Sequence, residues 1–243
     1  MLVKSYEQRC LLRHTKRVQL LEFLRDETWS SIPIISQILG LSISATYKTL
    51  SSFEKAGLVN SHKDSALNFK VWGVTNLGLF EAWDSDCEVQ KRAPFEPSKF
   101  KPLQANHELN LQQARISAMS NFWTEWRLGK HLVNVEKRPD AIARDPRGNV
   151  VYVELEQVVK SRQRIEKIFS IYLQKIKRGE LDYVAYVCPT EKFSRRLNKL
   201  FNSINEIPVS ICDIVSIPQV MFLLEKHRKP LPINNFFINF PPA

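Results

Sequence analysis

The chain has 243 residues, 44% of them hydrophobic, with 35 Lys and Arg against 25 Asp and Glu and a formal net charge of +10. This length suits one large domain or two small ones, and the basic balance points to an anionic partner. No apolar run approaches the roughly 20 residues that span a bilayer, and the four cysteines (Cys10, Cys87, Cys188, Cys212) lack the CxxC spacing of a zinc ribbon or a disulfide framework.

In chain order, Lys4–Glu27 carries Leu11, Leu12, Val18, Leu21 and Leu24 at helical spacing between charged residues, which predicts an amphipathic helix. It is basic and has no signal-peptide core, so a cytoplasmic protein with reduced thiols is expected. Ser30 or Ser31 is expected to cap a short helix over Ile34–Leu39, with Pro33 in its first turn and Gly40 at its end. Ser42 then caps a third helix that stops at about Ala56 and Gly57. Leu58–His62, a Lys63-Asp64-Ser65 turn and a strand over Asn68–Val74 follow. A further helix runs from Thr75 to about Trp83.

Helix, short helix, glycine turn, helix and hairpin is the order of a winged helix-turn-helix. Residues 10–83 resemble that family through Gly40, the Leu41-Ser42 cap and the Lys55-Ala56-Gly57-Leu58-Val59 exit into the wing. The resemblance implies that Thr46, Leu50 and Phe53 face inward. It also implies that Ser44, Tyr47, Lys48 and Ser51 face the major groove of DNA, with His62, Lys63 and Lys70 in the wing.

The winged-helix domain is expected over residues 1–84 and a proline-bearing linker over 85–102. A second domain over 103–229 follows, then an extended tail over 230–243. Within that second domain a helix is expected from Leu103 to about Leu128 and a strand over Lys130–Lys137. Helices over Ser161–Arg178, Thr190–Asn202 and Pro218–His227 alternate with strands over Tyr183–Cys188 and Pro208–Ile214. The expected class is α+β, with a mixed sheet flanked by helices.

The chemistry gathers in Arg138–Gln157. Arg138–Arg144 and Val150–Gln157 read as strands joined by the turn Asp145-Pro146-Arg147-Gly148-Asn149. Strand alternation puts Tyr152, Glu154 and Glu156 on one face and Val151, Val153 and Leu155 on the other. Asp140 comes up beside Glu154 if the hairpin pairs about its turn. Three carboxylates on one face repel one another and call for a cation, and oxygen donors select Mg²⁺ or Mn²⁺. Residues 1–90 hold ten residues of each sign, so the whole basic excess lies in 91–243, beside this acidic cluster. A basic domain with a local metal site suits a phosphodiester substrate.

Pro139-Asp140 at a strand start and Glu154-x-Glu156 on the next strand resemble the restriction-endonuclease-like PD-(D/E)xK superfamily over about residues 103–215. HELNLQQARI, RPDA, ELE, and Lys167 followed by Tyr172 are similar to the replication-relaxation group and its MobC-type plasmid mobilisation relaxases. The resemblance implies Asp140 and Glu154 as metal ligands, with Glu156 completing the set or accepting a proton. It implies Lys167, or Lys160, as the cation beside the transition state, and His107 at the active-site edge. Glu156 stands where the superfamily usually has Lys, which leaves the cationic role unfilled within the motif. The implied partners are the DNA of an origin of transfer, an accessory mobilisation protein and a type IV coupling protein.

Three functions compete. One is a relaxase that nicks one strand at a plasmid origin of transfer. The second is a restriction-type double-strand endonuclease on the same fold. The third is a non-catalytic DNA-binding protein of replication or partition that uses the fold as a scaffold. The five histidines contain no His-hydrophobe-His pair, which disfavours the metal site of conventional tyrosine relaxases. Tyr152 and Tyr172 are the candidate nucleophiles, yet a metal-activated water needs neither. Hydrolysis leaving a 5′ phosphate and a 3′ hydroxyl is therefore expected.

Overall fold

The computed structural model describes residues 5–83, 92–133, 135, 137–204, 206–208 and 214–216. Two units divide the chain, Met1–Gln112 and Gln113–Ala243. Each is taken by itself.

In the first unit, Ser5 caps α1 (Tyr6–Glu27) by accepting from the Gln8 amide. Its buried side is confined to the last two turns, where Leu20, Leu21, Phe23 and Leu24 enter the core. A short strand that hydrophobic periodicity did not announce, β1 (Trp29–Ser31), comes next. Ser31 then opens α2 (Ile32–Leu39), with Pro33 in its first turn. Gly40 closes that helix at φ +58, the left-handed region where a Cβ is strained. Ser42 accepts from the Ala45 amide and starts α3 (Ile43–Lys55), which buries Thr46, Leu50 and Phe53 as expected. The strands β2 (Val59–His62) and β3 (Val71–Val74) form the wing, and α4 (Asn76–Glu81) follows on a Thr75 cap.

The sheet order is β1-β3-β2, antiparallel throughout, with Ser61 opposite Trp72 and Ser30 also opposite Trp72. This is the arrangement of a winged helix-turn-helix. Residues 92–102, expected as linker, do not stand apart. Phe95 packs with Trp29, Val71 and Ala105, and its amide donates to the Val74 carbonyl at 2.7 Å. A Cβ on Gly73 would lie 2.1 Å from the Phe95 ring, so this strand residue must be glycine for Phe95 to seat.

The first part of α5 (Pro102–Ser120) belongs to the first unit and the rest to the second. Gln112 is fully buried, donates to the Trp29 carbonyl at 2.8 Å and accepts from the Ser30 hydroxyl at 2.6 Å. A buried amide side chain with both ends satisfied fixes the helix to β1.

The helix ends eight residues before the expected Leu128. The Asn121 side-chain amide donates back to the Ser117 carbonyl, Phe122 adopts φ +63, and Thr124–Leu128 becomes β4. The expected strand over Lys130–Lys137 is thus displaced toward the N-terminus, and Gly129–His131 forms a 3-10 turn. The hairpin then appears where the sequence put it, as β5 (Ala141–Arg144) and β6 (Val150–Leu155).

Asp145 builds its turn. The buried carboxylate accepts from the Arg147 and Asn149 amides, each at 2.9 Å, and from the Asn149 side chain at 2.8 Å, while Gly148 takes φ +84. Ser161 caps α6 (Arg162–Lys177), β7 (Tyr183–Val187) follows, and Thr190 caps α7 (Glu191–Asn202).

The sheet runs β4-β5-β6-β7, antiparallel until β7 joins β6 in parallel, so it is mixed. A parallel neighbour needs a crossover, and α6 supplies it over one sheet face. There Tyr172, Ile168 and Ile176 pack on Ile142, Tyr152 and Val184. A separate hairpin pairs β8 (Glu206–Pro208) with β9 (Ile214–Ser216), so Pro208 ends a strand instead of beginning one. The expected helix over Pro218–His227 and the tail over 230–243 lie outside the described residues. The chain is therefore α+β, a winged helix-turn-helix arrangement followed by a mixed sheet with helices.

Candidate functional site

On the winged helix, Ser44, Tyr47 and Lys48 are exposed on α3 and Ser51 is half-buried beside them. They share the side of the helix opposite Thr46, Leu50 and Phe53, as 3.6-residue periodicity requires. The indole of Trp72, itself fully buried, joins helix to wing. The Tyr47 ring meets it edge-on at 6.1 Å and the Lys70 ammonium stands over it at 5.2 Å. Glu54 accepts from the Ser61 amide at 3.1 Å and from the Ser61 hydroxyl, a second tie between α3 and β2. Lys63 is exposed. His62 ends β2, where its half-buried ring stands edge-on to Phe100 at 5.6 Å and 3.8 Å from the Asp64 carboxylate.

In the second unit the β5–β6 register pairs Ala141 with Val153, and the Asp140 amide donates to the Val153 carbonyl at 3.0 Å. Asp140 therefore stands opposite Glu154, and its Oδ2 accepts from the Leu155 amide at 2.7 Å. A Cβ on Gly129 would lie 1.7 Å from the Pro139 carbonyl oxygen, while the Gly129 amide donates to the Asp140 carbonyl at 2.8 Å. Backbone against backbone thus fixes where Asp140 begins.

Glu154 and Glu156 are 4% and 5% exposed, and so do not form the solvated acidic face that alternation alone would suggest. The crossover helix α6 covers that face. Lys137 Nζ donates to Glu154 Oε1 at 2.7 Å, and the Tyr172 hydroxyl donates to the same oxygen. Burial raises the Glu154 carboxyl above the usual carboxylate range, Lys137 and Tyr172 work against that rise, and the neighbouring Asp140 charge adds to it. Burial, then the Glu154 charge, pushes the Tyr172 phenol well above its ordinary value, so it remains a hydrogen-bond donor.

Glu156 lies past the end of β6. Its amide donates to the Val187 carbonyl at 2.9 Å, and its carboxylate pairs with Lys160. Among the described residues no three His, Cys, Asp or Glu side chains gather as a metal site. Asp140 stands opposite Glu154, while the Glu156 carboxylate pairs with Lys160.

Magnesium is often held by one or two carboxylates completed by water and substrate phosphate. Asp140 and Glu154 fit that description. Both offer hard oxygen, and burial holds the Glu154 carboxyl above the usual carboxylate range even beside Lys137.

The remaining residues fall elsewhere. Lys167 is exposed on α6 while Ile165, Ile168, Phe169 and Tyr172 point inward, so Lys160, and not Lys167, is the lysine beside Glu156. His107 is half-buried on the part of α5 that belongs to the first unit, whereas the three acids belong to the second. Tyr152 packs edge-on against Tyr172 at 5.8 Å. Lys137 was not singled out by the sequence, since it stands at the end of the expected strand over Lys130–Lys137 with no local signal that pairs it with Glu154.

Comparison with known proteins finds no family model that matches and no similar curated protein. Among solved structures, an apo-form mutant of ZitR from Lactococcus lactis is similar, with 21% identity and a TM-score of 0.26. The likeness covers 31% of this chain and 58% of that one. Among the described residues no helix is long and apolar enough to cross a membrane.

Proposed function

We propose that this protein is a metal-dependent DNA endonuclease that selects its site with the winged helix and nicks one strand, as a relaxase does at a plasmid origin of transfer. The observation that carries the reading is the hairpin register, which sets Asp140 opposite Glu154. When bound, Mg²⁺ or Mn²⁺ supplies charge neutralisation at the scissile phosphate and a water of lowered pKa. Asp140 and Glu154 would hold the ion. Lys137 and Lys160 hold the two buried glutamates in place and offer positive charge to the substrate phosphate. Tyr172 orients the Glu154 carboxylate through its hydroxyl and is a positioning residue, not a nucleophile. Ser44, Tyr47, Lys48 and Ser51 read base edges, and Lys63 and Lys70 hold phosphates. An accessory mobilisation protein and a coupling protein complete the proposed assembly.

Incubating supercoiled plasmid bearing the cognate origin with Mg²⁺, Mn²⁺ or EDTA tests this reading. A metal-dependent open circle is the expected product, and a linear product would favour a restriction-type enzyme. A second reading has its own support: the Lys137–Glu154 and Lys160–Glu156 pairs are also what a sheet would use to bury acids without any ligand. No cleavage under any metal, with DNA binding intact, would favour that scaffold.

A further inference from the structure

The helices α6 and α7 turn their apolar sides to one cluster. Ile165, Phe169 and Leu173 of α6 pack there with Phe193, Leu197 and Leu200 of α7. Their opposite sides are basic. On α6, Arg164 and Lys167 are exposed; on α7, Lys192, Arg195, Arg196 and Lys199 are. The acids on or beside these helices are already engaged: Glu166 by Arg162, Glu180 by Lys175, and Glu191 by Arg195. Lys167, Lys192, Arg196 and Lys199 pair with no acid among the described residues.

Solvation alone would account for a mixed surface, in which cations and acids alternate. Here the acids are locally consumed and a one-signed surplus remains. Lys192, Arg196 and Lys199 fall on one stripe of α7 at helical spacing and span about 10 Å of axis. That is the length of roughly three base-pair steps of a duplex. Lys167 points away from the acidic site, because α6 lies between its own outward face and Glu154.

We propose that the outward faces of α6 and α7 are a sequence-independent binding surface for the phosphate backbone of duplex DNA, separate from the winged-helix reader. This rests on the DNA-binding part of the function above and not on cleavage. Long flexible cations on rigid helices suit that role, since they follow the backbone without selecting a base.

The test uses the full chain with Lys167, Lys192, Arg196 and Lys199 all changed to Gln, and a duplex of arbitrary sequence. Affinity is measured by anisotropy between about 50 and 200 mM salt. Each phosphate contact contributes about 0.9 to the slope of log affinity on log salt. The variant is expected to lose about 2–3.5 of that slope, and a charge-preserving variant (Lys→Arg at the three lysines, Arg196→Lys) to keep it. An unchanged slope in the Gln variant, or an equal loss in the charge-preserving one, overturns the surface. If the native chain prefers no sequence yet the slope falls as expected, the winged-helix reading fails and this surface stands.

Discussion

Lys137 Nζ donates to Glu154 Oε1 at 2.7 Å, so a lysine that precedes one strand neutralises an acid buried on the next. Lys137→Met would leave that carboxylate without its cation. Breaking a buried pair costs about 3–5 kcal/mol, and because Lys137 retains 28% side-chain exposure a loss of about 2–4 kcal/mol is expected. Urea unfolding of the two chains measures it, and equal midpoints would show that the pair is dispensable.

The same pair sets a pH dependence. Burial already raises the Glu154 carboxyl in the folded state, and removing Lys137 raises it further. A group with a raised folded pKa favours the fold while it is protonated in both states, and that contribution is lost as pH rises through the folded value. Lys137→Met should therefore recover stability relative to the native protein as pH falls toward the ordinary carboxylate range. A melting-temperature difference that stays constant with pH would contradict this.

Asp140→Asn and Glu154→Gln are expected to abolish nicking while leaving DNA affinity unchanged, because neither change touches the basic surface. Glu154→Gln keeps an acceptor for Tyr172 but leaves the Lys137 ammonium, 28% exposed, without its carboxylate, so a stability loss smaller than that of Lys137→Met is expected. Nicking assays and thermal melts on the same preparations separate the two effects. Retained cleavage in either variant would remove the metal pair from the proposal.

Gly129→Ala would drive a methyl group into the Pro139 carbonyl, which is backbone and has nowhere to go. Overpacking of this kind costs about 1–3 kcal/mol or more. The displaced chain leads directly into Asp140, so nicking should fall further than stability does. A variant with native activity would show that the start of β5 tolerates movement.

Tyr47→Ala and Lys48→Ala should each weaken discrimination for the cognate site by about 1–3 kcal/mol, the worth of a base-edge contact. Competition binding with cognate and scrambled duplexes measures the difference. Equal loss on both duplexes would assign these residues to the backbone.

Much of this site was legible in the sequence because period-two alternation and a turn rich in Asp, Pro, Gly and Asn are local signals. The β5–β6 hairpin, the Ser161 and Thr190 caps and the inward set Thr46, Leu50 and Phe53 all follow from such signals. What the sequence did not carry was tertiary. Alternation puts Glu154 and Glu156 on one face, but it cannot tell that α6 seals that face or that Lys160 pairs with Glu156. Nor does it reveal β1, whose three residues are too few to show a period. The helix α5 ends at Ser120, short of the expected Leu128, because the turn at Asn121 and Phe122 is made by backbone geometry that side-chain spacing does not signal.

The parallel junction of β6 with β7 has a kinetic meaning. The β5–β6 hairpin closes through a five-residue turn and can form early, with Glu154 still hydrated. The third strand arrives only after the whole of α6 has been laid down, because contacts distant in sequence close more slowly. Sealing of Glu154 under α6 is thus a non-local event, separate from closure of the hairpin.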